Sequence, residues 1–459
     1  MPLLDTHKLS IRLLRSRAGG LVARPWLDRS IAHMLEHWFF PLSRLWGAAR
    51  AAAGDVDEFI RHVPLSEPSP SQRRKIAKAL NEFERCRLKA FSTEQLWHDY
   101  YFGGAPVEKN RLPIVEEMRL DFRTAYNMTR RAFIPLRRLV MTSVYMDPPT
   151  PDLVEKRFGK GAEKLEALFA LPTTLPDVEV SRPLPTDAGS DRWIRFRSPS
   201  HTLDDLAYAR VHEPAGVENP PTLIFGHGIC VEFDHYHQLL DEVTELTNNG
   251  IRVIRPEAPW HGRRVLPGHY GGEQLLSTTP NSMFDFLASQ HQEWATIINW
   301  ARDTSDGPVA IGGSSLGAQS AKAIAVRASQ WPKRLQPDAL IAITHSQHMF
   351  EAALHGSLSD IWNLGTSLRD KGWHRDTEQF WLEKIDPLGK PCMPGENIIS
   401  VIGDRDTVTP NTLVHGQLDL WGVPAKNRFH YNRGHFTVPL GLIHDNTALM
   451  AFADILKRA

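Results

Sequence analysis

The chain has 459 residues, and its 53 Lys and Arg are balanced by 53 Asp and Glu, so its formal charge is zero. That balance leaves no broad electrostatic footprint for a phosphate backbone or an anionic bilayer, and nucleic acid is not an expected partner. Hydrophobic residues at 42% and charged residues at 23% are globular proportions, which excludes a mainly disordered chain. Three cysteines (Cys86, Cys230 and Cys392) make neither a disulfide framework nor the paired spacing of a zinc site. Their scarcity fits a reducing compartment, and the expected location is cytoplasmic.

Residues 1–27 carry Lys8, Arg12, Arg15, Arg17 and Arg24 against Asp5. With no secretory apolar segment and no small-residue cleavage site, they read as a basic first helix rather than a targeting peptide. No apolar run reaches the roughly 18 residues of a membrane span, so no transmembrane helix is expected. Residues 1–170 are expected to be helical, because 31–53 and 71–102 place apolar residues three and four apart. Ser71 is the expected N-cap of the second helix, after Pro64, Pro68 and Pro70. Trp38-Phe39-Phe40 reads as a face packed on another domain, with an interfacial membrane helix over 26–50 as the alternative. A last helix is expected near 152–170. Pro172, Pro176, Pro183 and Pro185 then mark 171–190 as a semi-extended linker.

Beyond the linker, strands and helices alternate. Strands are expected at 192–198, 206–214, 222–228, 251–259, 308–311, 338–346, 397–406 and 426–433. Helices are expected near 236–248, 290–303, 316–330 and 441–457. Such alternation implies right-handed crossovers and a mostly parallel sheet flanked by helices, an α/β domain over 191–459.

The sharpest local signal is Gly313-Ser314-Ser315-Leu316-Gly317, which fits G-x-S-x-G in one register and makes Ser315 the candidate nucleophile. A strand must turn abruptly into a helix there, and flanking glycines leave room for the folded-back chain. A serine nucleophile needs a base and an orienting acid, commonly in the order Ser, Asp, His. Gly403-Asp404-Arg405-Asp406 and Arg433-Gly434-His435-Phe436 follow successive strands, where open α/β sheets place their sites. His435 is therefore the expected base and Asp406 the expected acid, with Asp404 as its rival. Backbone N–H groups of Ile229, in the loop Gly226-His227-Gly228-Ile229 after 222–225, and of Leu316 are the expected oxyanion donors. Asp234, His235 and His237 near His227 are too irregularly spaced for an expected metal site. No Gly-rich phosphate loop follows a strand, so no nucleotide cofactor is expected.

These motifs, with His227-Gly228, resemble those of the α/β-hydrolase superfamily over roughly 190–459. The resemblance implies an eight-strand-type sheet, a Ser315–His435–Asp406 triad, and an all-α N-terminal extension over 1–170 of the kind that covers a catalytic mouth. The loop Ala258-Pro259-Trp260-His261-Gly262-Arg263-Arg264 resembles the HGxR segment of esterase and dienelactone-hydrolase-like branches. His227, Gly228 and Trp260 are accordingly expected at the substrate. Residues 265–290 form a long excursion near the mouth, and the aromatic-rich insertion 347–395 is the expected lid. The expected function is a serine hydrolase, with neither metal nor cofactor, acting on a small-molecule ester or acyl substrate. C–C bond hydrolysis or acyl transfer by the same triad, and a non-catalytic scaffold, are the alternatives. The helical extension is a possible route to a homo-oligomer.

Overall fold

Short runs of β-branched and aliphatic residues build the centre of the fold. The computed structural model describes residues 24–63, 67–108, 110–139, 143–231, 244–387 and 389–459, together with Ser16 and Gly19. Among these, ten strands form one sheet: β1 (Glu179–Val180), β2 (Leu184–Thr186), β3 (Gly189–Arg197), β4 (Leu206–Pro214), β5 (Thr222–Gly226), β6 (Arg252–Pro256), β7 (Val309–Ser314), β8 (Ala339–Ile343), β9 (Ile398–Gly403) and β10 (Arg428–Tyr431). Their order is β1-β3-β4-β6-β5-β7-β8-β9-β10, with β2 also on β3. The β3–β4 and β4–β6 pairs are antiparallel, and every pair from β6 to β10 is parallel.

Alternation along each strand decides which helices cover it. Ile224, Ile254, Ile311 and Leu340 point into one core with the helices Asn281–Thr304, Leu316–Arg327 and Val414–Leu420. Their neighbours Leu223, Val253, Ala310 and Ile341 enter a second core with the helix Thr447–Leu456. Both faces are therefore buried, as a parallel sheet requires.

The N-terminal region is helical, as its periodicity predicts. It runs through Pro25–Met34, a π-helical turn Leu35–Phe39, Phe40–Ala52, Val56–Arg61, Pro70–Phe102 and Arg111–Met128. It is not a separate body beside the sheet. Phe40, Trp46 and Phe83 share a core with Tyr270, Leu358 and Val408 of the α/β part. Trp97 meets Trp193 of β3 edge to face, with the Arg119 guanidinium over both rings. Buried Glu116 and Asp191 flank Arg210 of β4, so an ionic network continues from helix to sheet.

Several expectations change in detail. Pro70 occupies the first helical turn, so Ser69 rather than Ser71 is the N-cap. Its hydroxyl accepts from Gln72 N–H while the Gln72 side chain accepts from Ser69 N–H. The Pro-rich stretch 171–190 is not merely a linker. It supplies β1 and β2, and Pro185 is tolerated because β2 lies off the main strand path, on β3 alone. The excursion 265–290 is largely helical and buried, through Glu273–Ser277 and the start of Asn281–Thr304. The last helix is two, Thr437–Leu442 and Thr447–Leu456. Asp234, His235, His237 and the first half of the helix expected at 236–248 lie outside the described residues, as does most of 1–27. No helix of the described residues is long and apolar enough to cross a membrane.

Candidate active site

Ser315 stands between the end of β7 and the first turn of the helix Leu316–Arg327, at φ 56° and ψ −119°. A side chain rarely adopts that backbone, and it is held here by close packing. A Cβ at Gly317 would lie 2.2 Å from the backbone of Gly226, and one at Gly313 would lie 2.5 Å from Gly317. Only glycines let β5, β7 and the helix approach this closely. Ser315 N–H is anchored on the carbonyl of Ile343 at 2.9 Å, whereas buried Ser314 turns its hydroxyl to Thr344. The serine at the apex is Ser315, which lines the cavities on both sides of the turn.

Its hydroxyl lies 2.9 Å from Nε2 of His435, whose Nδ1 lies 2.8 Å from Oδ2 of Asp406. Asp406 is buried, and its other oxygen accepts the N–H groups of Val408 and Thr409, each at 2.9 Å. The Thr409 hydroxyl donates to Oδ2 at 2.7 Å and sits 3.3 Å from Nδ1 of His435. The carboxylate is thereby fixed on three sides and its fourth direction goes to the imidazole. Asp404 is half-exposed and pairs with His430 instead, at 3.1 Å. The structure thus brings Ser315, His435 and Asp406 into one hydrogen-bonded chain and leaves Asp404 outside it.

Leu316 opens the helix, so its N–H has no partner within the helix and points with the positive end of the dipole toward Ser315. The loop after β5 passes directly over Ser315, since a Cβ at Gly228 would lie 3.6 Å from Cβ of Ser315. Ile229 follows and lines the cavities on both sides of Ser315.

His227 is buried behind this loop. Nδ1 donates to the Gly228 carbonyl at 2.8 Å, and Nε2 accepts the Ala258 N–H at 3.2 Å. His261 repeats the device in the reverse direction, donating to the Pro259 carbonyl at 2.9 Å and accepting the Cys230 N–H at 3.2 Å. Two imidazoles, 4.9 Å apart, therefore tie the loop after β5 to the loop after β6. Burial pushes the His227 pKa down to about 3, with His261 adding to the effect, so the ring is neutral and can accept. The ring nitrogens of His227 serve the backbone rather than the mouth. Trp260, also expected at the substrate, lies in a core with Leu275, Phe284 and Phe286 and lines neither cavity at Ser315.

The insertion 347–395 folds into four short helices: Met349–His355, Ser357–Trp362, Leu364–Asp370 and Arg375–Glu383. Met349, Ala353, Leu358 and Trp362 from it wall a cavity of 70 Å³ beside Ser315. A second cavity, of 240 Å³, lies on the His435 side and is walled by Ile31, Leu35 and Phe39 of the N-terminal region. Sequence reasoning missed Thr409, whose place three residues after Asp406 is a readable turn signal. It also missed the part Asp28 plays at the histidine loop, which no local pattern announces.

Strand order, crossovers and the strand–serine–helix turn together define an α/β-hydrolase fold with a helical N-terminal region packed on it. No family model matches the chain. Esterase YjfP of Escherichia coli (strain K12) is 29% identical over 135 residues, 28% of this chain and 49% of that protein, so the chain spans about half the length of this curated relative. Among solved structures, the chain aligns with acetyl xylan esterase 1 from Thermoanaerobacterium sp. JW/SL YS485 at a TM-score of 0.42 and 14% identity, over 68% of this chain and 96% of that one. An S-formylglutathione hydrolase from Agrobacterium tumefaciens aligns at 0.40 and 15% identity, over 60% and 99%. A Pyrobaculum calidifontis esterase aligns at 0.37 and 15%, over 68% and 94%.

Proposed function

We propose that this protein is a serine hydrolase that cleaves a carboxylic ester through an acyl-enzyme on Ser315. The observation that carries the reading is the unbroken relay from Ser315 Oγ through His435 to Asp406, at 2.9 and 2.8 Å, on a strained turn that presents the serine. The partial likeness to an esterase adds support. An ester is the least demanding acyl bond for such a site.

In this mechanism His435 Nε2 takes the Ser315 proton as Oγ attacks the ester carbonyl. Asp406 holds Nδ1–H, fixing the tautomer and stabilising the imidazolium that forms. The negative oxygen of the tetrahedral intermediate is held by the N–H groups of Leu316 and Ile229, each such donor being worth about 10²–10³ in rate. His435 returns its proton to the departing alkoxide, and the alcohol leaves. Water, deprotonated by the same imidazole, then splits the acyl-enzyme to the acid and free Ser315.

Labelling with a fluorophosphonate, on native protein and on Ser315→Ala and Ser314→Ala variants, tests this reading. Labelling that is lost only in Ser315→Ala is the expected result, together with turnover of p-nitrophenyl esters. A folded native chain that neither labels nor turns over any ester would overturn it.

A further inference from the structure

Ser315 sits at the junction of two apolar chambers of unequal size, and only the larger is lined by His435. The smaller, of 70 Å³, is bounded by Leu275, Met283, Met349, Ala353 and Trp362, with Leu316 at its floor. The larger, of 240 Å³, is bounded by Ile31, Leu35, Phe39, Phe436 and Pro439. Ile229 and Leu358 border both and form the partition. No Asp, Glu, Lys or Arg of the described residues lines either one. A third, open cleft reaches His435 from solvent and is polar, with Arg29, Glu36, Arg405 and Asn432 on its walls.

The chemistry of acyl transfer distinguishes the chambers. The leaving oxygen must come within about 2.6–3.2 Å of the proton on His435 Nε2. The alcohol therefore occupies the chamber that His435 lines, and the acyl group turns the other way, past Leu316. The chamber that His435 lines is the roomier, at 240 Å³ against 70 Å³, so the bulkier half of the ester belongs on the alcohol side and the shorter half on the acyl side. Building on the serine-hydrolase reading, we infer that the substrate is an uncharged ester of a short acid, acetyl to butyryl, with a larger apolar alcohol of aromatic size. The N-terminal helices are then part of the specificity pocket: Ile31, Leu35 and Phe39 form the wall against which the alcohol packs.

Steady-state kcat/KM over two substrate series tests the assignment. One series lengthens the acid (p-nitrophenyl acetate, butyrate and octanoate). The other varies the alcohol at fixed acid (methyl, benzyl and glyceryl acetate). Butyrate is expected to exceed octanoate at least about tenfold, and benzyl acetate to exceed both methyl and glyceryl acetate by a similar factor, since one methylene in an apolar pocket is worth about ten- to two-hundredfold. Ala353→Phe should lower the butyrate-to-acetate ratio about tenfold and leave the benzyl-to-methyl ratio in place. Leu35→Trp should do the reverse. Fluorophosphonate labelling of each variant at Ser315 reports an intact fold and nucleophile.

Octanoate equal to butyrate, glyceryl acetate above benzyl acetate, or a variant that moves the other series would each overturn the chamber assignment while Ser315 still labels. Glyceryl preference would place the alcohol in the polar cleft instead. Failure to label at all would remove the hydrolase reading and this inference with it.

Discussion

The carboxylate of Asp28 accepts the N–H of Phe436 at 2.7 Å, which ties the first described helix to the residue directly after His435. The same carboxylate accepts the Thr437 N–H at 3.3 Å and the Thr437 hydroxyl, while that hydroxyl accepts the Gly434 N–H at 2.9 Å. The loop is flush against the acid, since a Cβ at Gly434 would lie 2.4 Å from Cγ of Asp28. Both sides of the imidazole-bearing residue are thus held by one side chain from the N-terminal region, 408 positions before Phe436.

Removing this clamp should be felt in turnover before substrate affinity. Asp28→Ala leaves two N–H donors without their acceptor, a cost of about 1–2 kcal/mol, and frees His435 to drift from Ser315. We expect kcat to fall about ten- to hundredfold, the effect of a displacement near 1 Å, with KM within about twofold. Asp28→Asn keeps a carbonyl for Phe436 and should recover most of the loss. Steady-state kinetics alongside thermal melts decide the matter: a kcat equal to wild type in a folded Asp28→Ala protein would show that the loop needs no clamp.

The two neighbouring acids can be separated by the same measurements. Asp406 is enclosed by Val408, Thr409 and His435, so Asp406→Asn offers an amide where the imidazole needs an acceptor, and kcat should drop about 10³–10⁴-fold. Asp404 meets His430 at the surface, and Asp404→Asn should stay within about twofold. Thr409→Val falls between, because it removes one of four hydrogen bonds to the carboxylate while leaving both backbone donors and the imidazole in place. Equal losses in the two Asn variants would sink the assignment of the acid.

Much of this arrangement is legible locally. Alternation of short aliphatic strands with helices dictates the parallel sheet, and Gly313-Ser314-Ser315-Leu316-Gly317 announces its turn because the steric demand is carried by adjacent residues. That Asp406 and His435 meet beside Ser315 is readable from their places after successive strands. What could not be read is long-range. Asp28 at His435, and Ile31 and Leu35 at the larger chamber, depend on how a helix docks over 400 residues away in sequence, which no periodicity encodes. His227 and Trp260 mislead for another reason. Both lie in loops that shape the site, yet burial turns the first onto backbone groups and the second into a core with Phe286. The prolines of 171–190 suit an extended chain, but extended chain beside a free edge of β3 becomes strand.

Two glycines give a paired test of the elbow. A methyl at Gly317 would sit 2.2 Å from the backbone of Gly226, where no flexible side chain can yield. Gly317→Ala should therefore lose Ser315 labelling and several kcal/mol of stability, or fail to accumulate as folded protein. Gly416 lies within the helix Val414–Leu420 with nothing near its would-be Cβ. Gly416→Ala should stabilise by about 0.5–1 kcal/mol through helix propensity, with unchanged kinetics. Urea unfolding of the pair is the check, and a tolerated Gly317→Ala would refute the close approach of β5 to the helix that follows Ser315.

His227 supplies a pH dependence whose sign can be worked out. Its pKa is about 3 in the folded chain against 6.5 in an unfolded one, because burial disfavours the imidazolium. Between those values the unfolded state holds the extra proton. Stability therefore falls as pH drops from 6.5 toward 3, by up to about 1.4 kcal/mol per pH unit for this group, and is insensitive to it above 6.5. His291, likewise pushed to about 3, adds a slope of the same sign. His227→Gln retains an acceptor for the Ala258 N–H and a donor for the Gly228 carbonyl but cannot titrate. Urea midpoints from pH 4.5 to 7 should then show a slope shallower than wild type by close to one proton, with His291 contributing equally in both proteins. Should the two slopes coincide, His227 would not be the buried neutral acceptor that ties the loop over Ser315 to the strand end at Ala258. Where they diverge, the variant should lose less of its urea midpoint than wild type between pH 7 and pH 5, because its unfolded state has no imidazole at position 227 to take up the proton.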